Sequence, residues 1–233
     1  RGEVDMALAG GFDDAVSWWA MTKLEALRVM SERNDLGAAA YRPFDCERSG
    51  TLVGEGAAFF VLEEFETASR RGARIYAELT GFGTGYDAYK VMTPQPEGRG
   101  LAVAMQSALR QAGTAVDDVQ YIAAHGSGTK QGDSSETAAI RTVFGPASDR
   151  LAASSVKPAS GHLVGGAGAL NAAVAALAIH HQTLPPTLNL RNIDPACRLD
   201  WVPGQARTAQ VGQALAVARG LEGQNVVLSM RRV

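Results

Sequence analysis

The chain has few cysteines and almost no excess of charge. Cys46 and Cys197 are the two cysteines among 233 residues. Two isolated thiols exclude a disulfide framework, and neither has the spacing of a zinc ligand, so we expect a reducing, cytoplasmic compartment. The formal net charge of −2 gives no reason to expect nucleic acid or a membrane surface as a partner.

We also expect neither a membrane helix nor a signal peptide. No apolar run is expected to reach the ~18 uncharged residues of a membrane-spanning helix, and the start of the chain lacks the form of a signal peptide. The chain begins at Arg1, without a methionine, and enters an apolar segment within four residues. Because a domain rarely begins inside a core element, we expect a fragment or one piece of a split protein.

What the chain does contain is an alternation of strand and helix signals. Short apolar runs predict strands at residues 4–9, 57–62, 75–83, 119–124, 151–156, 214–218 and 226–230. Helical spacing predicts helices at 14–30, 65–73, 101–112, 135–145 and 165–180. This alternation predicts an α/β fold with a largely parallel central sheet.

Three predictions concern burial and helix starts. The run at residues 57–62 is continuous, which is typical of a strand buried on both faces. The helix at 165–180 is apolar on every side and should be buried. Ser134 or Ser135 is a suitable N-cap for the helix at 135–145.

Candidate chemistry lies in loops that follow strands, because sites in open α/β sheets form at the carboxyl ends of strands. His125 and His162 both lie in such loops. His162 directly precedes the apolar helix, whose free N–H groups and positive dipole end favour a neutral imidazole. A single loop histidine is more often structural, but here Lys157 lies five residues before His162.

Two carboxylates strengthen the case, since Asp133 and Glu136 lie eight and eleven residues after His125. A metal site is not expected, because no pair of histidines has ligand spacing and no cysteine is near in sequence.

Six ordered blocks resemble the β-ketoacyl synthases, the condensing enzymes of fatty acid and polyketide synthesis. The segment HGSGTKQ is most similar to the stand-alone synthases of type II polyketide assembly. The blocks are VDMALAGG, RPFDCERSGTLVGEGAAFFVLEE, MTPQPEGRG, AAHGSGTKQGDSSET, SSVKPASGHLVGGAGALNA and LPPTLNL.

The resemblance implies a thiolase-like fold with layers in the order α-β-α-β-α. Residues 1–85 would supply the end of the amino-terminal half, and residues 86–233 would form the carboxyl-terminal half that carries both histidines. It also implies a decarboxylative Claisen condensation. A malonyl unit arrives on the phosphopantetheine arm of an acyl carrier protein, loses CO₂, and attacks an acyl chain held as a thioester on a cysteine. No cofactor or metal would be bound directly.

The resemblance assigns a role to each candidate residue. His125 and His162 match the two histidines that hydrogen-bond the thioester oxygen. Lys157 matches the lysine before the second histidine, where it would supply positive charge and hold the loop around His162. Asp133 and Glu136 would brace the site.

Ser127 and Thr129 match the hydroxyl pair that binds the pantetheine arm, although turn chemistry explains these two residues equally well.

The first departure from the family is the missing nucleophile, since neither Cys46 nor Cys197 stands in the matching context. The expected partners are therefore an acyl carrier protein and a cysteine-bearing amino-terminal ketosynthase part, in a homo- or heterodimer.

The second departure is the gating loop. The family usually has an NSFGFGGTN-like loop, and the matching stretch here is VARGLEGQN, residues 217–225. Leu221 takes the position of the gating phenylalanine, Arg219 replaces an aromatic residue, and Glu222 follows in place of a glycine. Arg219, Gly220, Leu221 and Glu222 form the predicted gating loop. VARG also resembles the chain-length factors, the non-condensing partners of type II synthases, which usually lack the histidines.

Two functions therefore remain open. The chain is either the histidine-bearing part of a β-ketoacyl synthase, active with a cysteine-bearing part, or a chain-length-factor-like subunit that shapes the acyl tunnel. Retention of His125, Lys157 and His162 favours the first function, whereas Leu221 and Glu222 favour the second. A thiolase-type degradative enzyme is less well supported, because residues 217–225 contain no cysteine.

Overall fold

The computed structural model describes residues 4–233. Nine strands and six α-helices are found in this part of the chain, joined by loops and short 3₁₀ segments. In chain order they are β1 Met6–Asp14, α1 Trp18–Ala26, β2 Glu55–Glu63, α2 Phe65–Arg70, β3 Glu78–Tyr86, α3 Arg99–Ala112, β4 Tyr121–Ala123, α4 Lys130–Phe144, β5 Ala152–Ser154, α5 Lys157–Ser160, α6 Ala167–His181, β6 Thr183–Leu184, β7 Arg207–Thr208, β8 Gln213–Arg219 and β9 Gln224–Arg231.

Five strands form the main sheet, in the order β3-β9-β8-β4-β5. β4 runs parallel to β5 and β8, whereas β9 is antiparallel to both β8 and β3. The prediction of a largely parallel sheet is therefore wrong for half of the strand pairs. The cause is the tight turn between β8 and β9, since strands joined by so short a connection pair antiparallel.

Helices cover both faces of this sheet, which confirms the α/β class. The side chains of β8 show that both faces are covered, because successive side chains of a strand point to opposite faces of the sheet. Leu215 and Val217 belong to the core that contains α3 and α4, and Ala214 and Ala216 belong to the core under α6. On the first face α3 lies so close to β3 that a Cβ at Gly83 would collide with a backbone carbonyl oxygen of the helix.

The apolar helix α6 corrects two expectations. The segment Val164–His181 has 18 residues and a mean hydropathy of 1.2, so by length and composition one segment is long enough to cross a membrane. The helix is also not buried on all sides, since 39% of that segment is buried and Leu177 is 43% exposed. Ala172, Ala175 and Ile179 pack in the core beneath the sheet. These contacts identify α6 as a core helix.

β1 and β2 form a separate antiparallel ribbon, with Met6 opposite Glu63 and Asp14 opposite Glu55. The inner face packs towards α6, where Phe60 joins the core. The prediction that residues 57–62 are buried on both faces is wrong for the described chain, because the other face is open. The exposed side chains of that open face are Met6, Leu8, Phe12, Phe59 and Val61.

The N-cap of helix α4 lies five or six residues before the predicted cap, Ser134 or Ser135. Thr129 is the N-cap, and its hydroxyl accepts a hydrogen bond from the Gly132 N–H at 3.0 Å. Ser134 and Ser135 lie inside the helix, so the predicted cap is wrong. The glycine at position 132 obscured the start of the helix in the sequence, because it lowers helix propensity.

The predicted division after residue 85 stays a prediction. β3 pairs with β9 in the main sheet, which favours a division before Glu78.

The first prediction concerns Asn171, the one polar side chain on the buried face of α6. Its amide donates to the carbonyl oxygens of Ala124 at 3.0 Å and Val217 at 2.7 Å, at the carboxyl ends of β4 and β8. We expect Asn171→Leu to lower the free energy of unfolding by about 2–3 kcal/mol, because two buried carbonyls lose their donor. Urea denaturation measures this change, with Leu177→Ala on the exposed side as the control. Equal effects of the two substitutions would contradict the assigned role.

Candidate functional site

A cavity of about 280 Å³ opens at the carboxyl ends of β4 and β8. His125 lies two residues after the end of β4, and His162 lies between α5 and α6. The two imidazole rings line this cavity with their centroids 5.0 Å apart and their planes at 73°. Most of the predicted site lies on its wall: His125, His162, Ser127, Thr129, Arg219, Gly220, Leu221 and Glu222.

The ring of His125 has one nitrogen occupied and one free. Its Nδ1 accepts a hydrogen bond from the backbone N–H of Arg219 at 3.3 Å. An acceptor nitrogen carries no proton, so the proton resides on Nε2. The pKa of His125 is held well below 6.5, mainly by burial and further by the charges of Lys157, His162 and Arg219. The ring is therefore a neutral hydrogen-bond donor.

His162 has the same arrangement. Its Nδ1 accepts a hydrogen bond from the Val164 N–H at 2.9 Å, which again leaves the proton on Nε2. Burial, and next the charge of Lys157, lower its pKa to about 3. This lowered pKa favours the neutral imidazole that was predicted at the start of the apolar helix, and its role in the site stays a prediction. Backbone hydrogen bonds to Leu52 and Gly54 fix this histidine against the loop before β2.

Lys157 lies behind the histidines and is 1% exposed. Its ammonium group donates to the carbonyl oxygen of His125. Its backbone carbonyl oxygen accepts from the Gly161 N–H at 2.8 Å, next to His162, and its expected role in holding the loop around His162 stays a prediction. Burial lowers its pKa to about 8, against the opposing attraction of Glu136 and Asp133.

Glu136 holds the backbone of the His125 loop. Its two carboxylate oxygens accept from the N–H groups of His125 at 2.7 Å and Gly126 at 2.8 Å. The side chain is fully buried, so these backbone donors have exchanged water for a carboxylate.

Asp133 holds the next part of the loop. One oxygen accepts from the Gly128 N–H at 3.0 Å and the Ser127 hydroxyl at 3.1 Å, and the other accepts from the Phe44 N–H at 2.8 Å. Burial raises its pKa to about 6, which the backbone donors and the Arg48 guanidinium oppose. The structure thus brings both predicted brace residues to the loop, and their value for catalysis stays a prediction.

Ser127 and Thr129 take part in turn chemistry and also line the cavity. Their hydroxyl oxygens are 2.9 Å apart, and Thr129 caps α4. The turn hydrogen bonds and the position on the cavity wall are therefore present together. Binding of a pantetheine arm stays a prediction.

The predicted gating loop is the turn between β8 and β9. Backbone hydrogen bonds from Gly220 to Gln224 at 2.8 Å and from Gly223 to Gly220 at 3.1 Å close it. Leu221 is 40% exposed, and the guanidinium of Arg219 is buried against α4. Gating itself stays a prediction.

Sequence reasoning missed Arg48, which is 2% exposed. Its guanidinium donates to the carbonyl oxygens of Thr129 at 3.2 Å and Lys130 at 2.7 Å, and to Asp194 at 2.6 Å. It therefore fixes the start of α4. An arginine within a glycine-rich loop was the available signal. Asn171 was also missed, although a single asparagine in an otherwise apolar helix marks it.

Neither cysteine belongs to the site. Cys46 is exposed and Cys197 is buried, and neither lines the cavity. Burial raises the pKa of the Cys197 thiol to about 12, which makes it a poor nucleophile. Within residues 4–233 no group of three or more histidine, cysteine, aspartate or glutamate side chains is placed to hold a metal ion.

Two family models match the sequence in succession. Residues 1–68 match "Beta-ketoacyl synthase, N-terminal domain", and residues 76–191 match "Beta-ketoacyl synthase, C-terminal domain". The chain belongs to the β-ketoacyl synthase family. Its thiolase-like fold, with the end of the amino-terminal domain and the carboxyl-terminal domain, is as expected.

Curated β-ketoacyl synthases match the chain from end to end. The 3-oxoacyl-[acyl-carrier-protein] synthase 2 of Coxiella burnetii is 42% identical over 231 residues, which cover 99% of this chain and 56% of that protein. The enzyme of the same name from Synechocystis is 40% identical over 232 residues, which cover 100% and 56%. The chain thus spans about half the length of the curated relatives it matches.

Solved structures of β-ketoacyl synthases superpose closely. A type II polyketide synthase acyl-carrier protein in complex with its ketosynthase bound to the hexaketide, AntDE:AntF, contains a chain with a TM-score of 0.97 and 35% identity, covering 100% of this chain and 57% of that one. The ishigamide ketosynthase/chain length factor gives a TM-score of 0.90 and 39% identity, covering 100% and 55%.

The second prediction concerns pH. In the unfolded chain His162 takes up a proton below about pH 6.5, whereas in the folded chain its pKa is about 3. Between these values the unfolded state binds more protons, so the free energy of unfolding falls as the pH falls. We expect His162→Asn to reduce this loss by about 2 kcal/mol at pH 4. The asparagine oxygen can still accept from Val164.

Urea denaturation at pH 4 and pH 7 measures the effect. Asp133 has a raised pKa and acts with the opposite sign, but its contribution cancels between the wild type and the variant. His180→Asn, on the exposed end of α6, is the control. A pH dependence that is identical in the wild type and His162→Asn would refute a neutral His162.

Proposed function

We propose that the chain is the histidine-bearing part of a β-ketoacyl synthase that condenses malonyl-acyl carrier protein with a cysteine-bound acyl chain, with loss of CO₂. One observation carries the proposal. Two neutral imidazoles line one cavity with their centroids 5.0 Å apart, and each has Nδ1 occupied by a backbone N–H. Two Nε2–H donors are therefore available to a ligand in this cavity.

The chemistry needs such donors. When the carboxylate of the malonyl group leaves as CO₂, the electron pair of the broken C–C bond forms an enolate whose charge rests on the thioester oxygen. The Nε2–H groups of His125 and His162 stabilise that oxygen, and one donor of this kind contributes about 3–4 kcal/mol. The enolate carbon then bonds to the acyl carbonyl carbon, and the cysteine leaves as a thiolate.

Positive charge nearby assists the same step. The ammonium group of Lys157 donates to the His125 carbonyl oxygen, and Lys157 is not among the residues that line the cavity. It lowers the pKa of both imidazoles, so neither loses its role as a neutral donor by protonation. Lys157 therefore acts through the histidines and need not touch the substrate.

An acyl carrier protein would deliver the malonyl unit. The hydroxyl groups of Ser127 and Thr129 line the cavity and suit hydrogen bonds to the amides of a phosphopantetheine arm. No cofactor bound directly to this chain is required. The AntDE:AntF complex, which contains an acyl-carrier protein, supports this partner.

The cysteine would come from an amino-terminal ketosynthase part. The open face of the β1–β2 ribbon exposes five large apolar side chains, of which Leu8 is 75% and Phe12 73% exposed. A contiguous apolar face of this kind marks an interaction surface. Since the curated relatives are nearly twice as long as this chain, the cysteine-bearing part is the partner that fits. The assembly would be a homo- or heterodimer in the cytoplasm.

The second candidate is a chain-length-factor-like subunit that shapes the acyl tunnel without condensing. The turn with Arg219, Leu221 and Glu222 favours it, as does the similarity to a ketosynthase/chain length factor. The two neutral histidines favour the enzyme, because tunnel shaping has no need of paired donors.

The third prediction tests the enzyme. The chain is combined with a cysteine-bearing ketosynthase part, and release of CO₂ from malonyl-acyl carrier protein and formation of the β-ketoacyl product are both measured. We expect His162→Ala to lower kcat about 10²–10³-fold, because one oxyanion donor is lost. His180→Ala, outside the cavity, should leave kcat unchanged.

The two candidate functions give different results in this assay. Full turnover in His162→Ala would refute the enzyme assignment. If chain length changes with Leu221→Phe while His162→Ala has no effect on either readout, the chain-length-factor-like function is the correct one.

A further inference from the structure

We propose that Arg219 is a positioning residue whose guanidinium fastens the turn between β8 and β9 to α4, so that the His125 ring and the adjoining cavity wall are held as one rigid unit. We call these contacts of the Arg219 guanidinium the clamp. The effect of the clamp on catalysis rests on the proposed function, but the existence of the clamp does not. The turn would then be a fixed wall and not a swinging gate.

The guanidinium bridges two elements. On α4 it donates to the carbonyl oxygen of Gly132 and to the hydroxyl of Ser135, both at 3.1 Å. Away from α4 it donates to the side-chain oxygens of Asn225 at 3.0 Å and Asp87 at 3.3 Å. The side chain is 6% exposed, so these bonds are shielded from competing water.

The far side of the turn is held by the same partners. Asn225 donates through Nδ2 to Asp87 at 2.8 Å and to the Gly223 carbonyl oxygen at 3.0 Å. The Asp87 N–H donates to that same oxygen at 2.9 Å. The turn is therefore bound at Arg219 and at Gly223, and the residues between them are closed by backbone hydrogen bonds.

The clamp reaches His125 through the main chain. The N–H of Arg219 is the donor to Nδ1 of His125, while Glu136 of α4 holds the His125 backbone N–H. Helix α4 thus positions the backbone of the histidine directly and its ring through Arg219. Displacing the turn would break the buried Arg219–Asp87 ion pair and free the ring, and breaking a buried ion pair is strongly unfavourable.

The geometry requires arginine specifically. Four acceptors on three segments surround the guanidinium, and a planar fork with five N–H donors can satisfy them together. The single ammonium group of a lysine keeps the charge beside Asp87 but cannot reach acceptors on both sides of the turn. Arg219→Lys therefore removes the clamp and keeps the positive charge, so the two effects can be measured separately.

The fourth prediction tests the clamp on the 233-residue chain without substrate. In Arg219→Lys and Arg219→Met we expect the hydrogen-bonded amides of Gly220 and Gly223 to exchange hydrogen at least about tenfold faster. We also expect the ¹⁵N signals of the His125 ring to show loss of the pure Nε2–H tautomer. Arg141→Met is the matched control, because Arg141 also donates from α4 to a carbonyl oxygen, that of Arg198, far from the cavity.

The outcomes are separable. Unchanged exchange and an unchanged His125 tautomer in Arg219→Lys would overturn the proposal. If far-UV circular dichroism shows that Arg219→Met does not fold, Arg219→Lys decides alone.

In the assembled enzyme Arg219→Lys should lower kcat about ten- to a hundredfold with little change in KM, because the donor is misplaced. If Arg219→Lys changes the His125 tautomer while His162→Ala leaves turnover unchanged, the clamp is supported and the proposed function is refuted.

Discussion

The site depends on two buried carboxylates, one helical turn apart on α4, that hold the backbone of the His125 loop. Asp133 and Glu136 are both fully buried, and together they accept hydrogen bonds from the N–H groups of His125, Gly126 and Gly128. Buried donors without acceptors are costly, so the loop can adopt this tight course only around these side chains. The position of the His125 ring follows from the course of its backbone.

Charge is arranged so that the histidines stay neutral while the carboxylates stay buried. The Arg48 guanidinium lies 3.4 Å from Asp133 and opposes the rise that burial causes in the pKa of Asp133, and the charges of Glu136 and Asp133 favour the charged form of the buried Lys157. The same lysine, together with burial, lowers the pKa of both imidazoles. Neutral donors fixed in a partly desolvated cavity need no reorganisation when negative charge develops on a ligand. The acids, the lysine and the histidines therefore form one electrostatic system. The role of any one of these groups cannot be assigned without the others.

The sequence alone predicted the α/β class, the helices α3 and α6, and the loops that carry both histidines, because these follow from local periodicity and ordered motifs. It could not predict contacts between distant segments, such as that of Arg219 with Asp87, 132 residues away. The antiparallel pairing of β9 was missed because a parallel sheet is the usual result of alternating elements. The burial of residues 57–62 was mispredicted. Apolar side chains indicate that a strand tends to be buried, but another segment must pack against each face to bury it.

The loop 219–222 presented a conflict, since its residues depart from those of condensing enzymes while the histidines do not. The structure removes much of that conflict. The N–H of Arg219 sets the tautomer of His125, and its guanidinium contacts the helix that holds the same histidine. An arginine at this position therefore supports His125 in a way that an aromatic side chain, with no donors for Asp87 or Gly132, cannot. Because one residue both lines the cavity and orients the donor, changes in this loop should alter the cavity wall and the orientation of the His125 ring together.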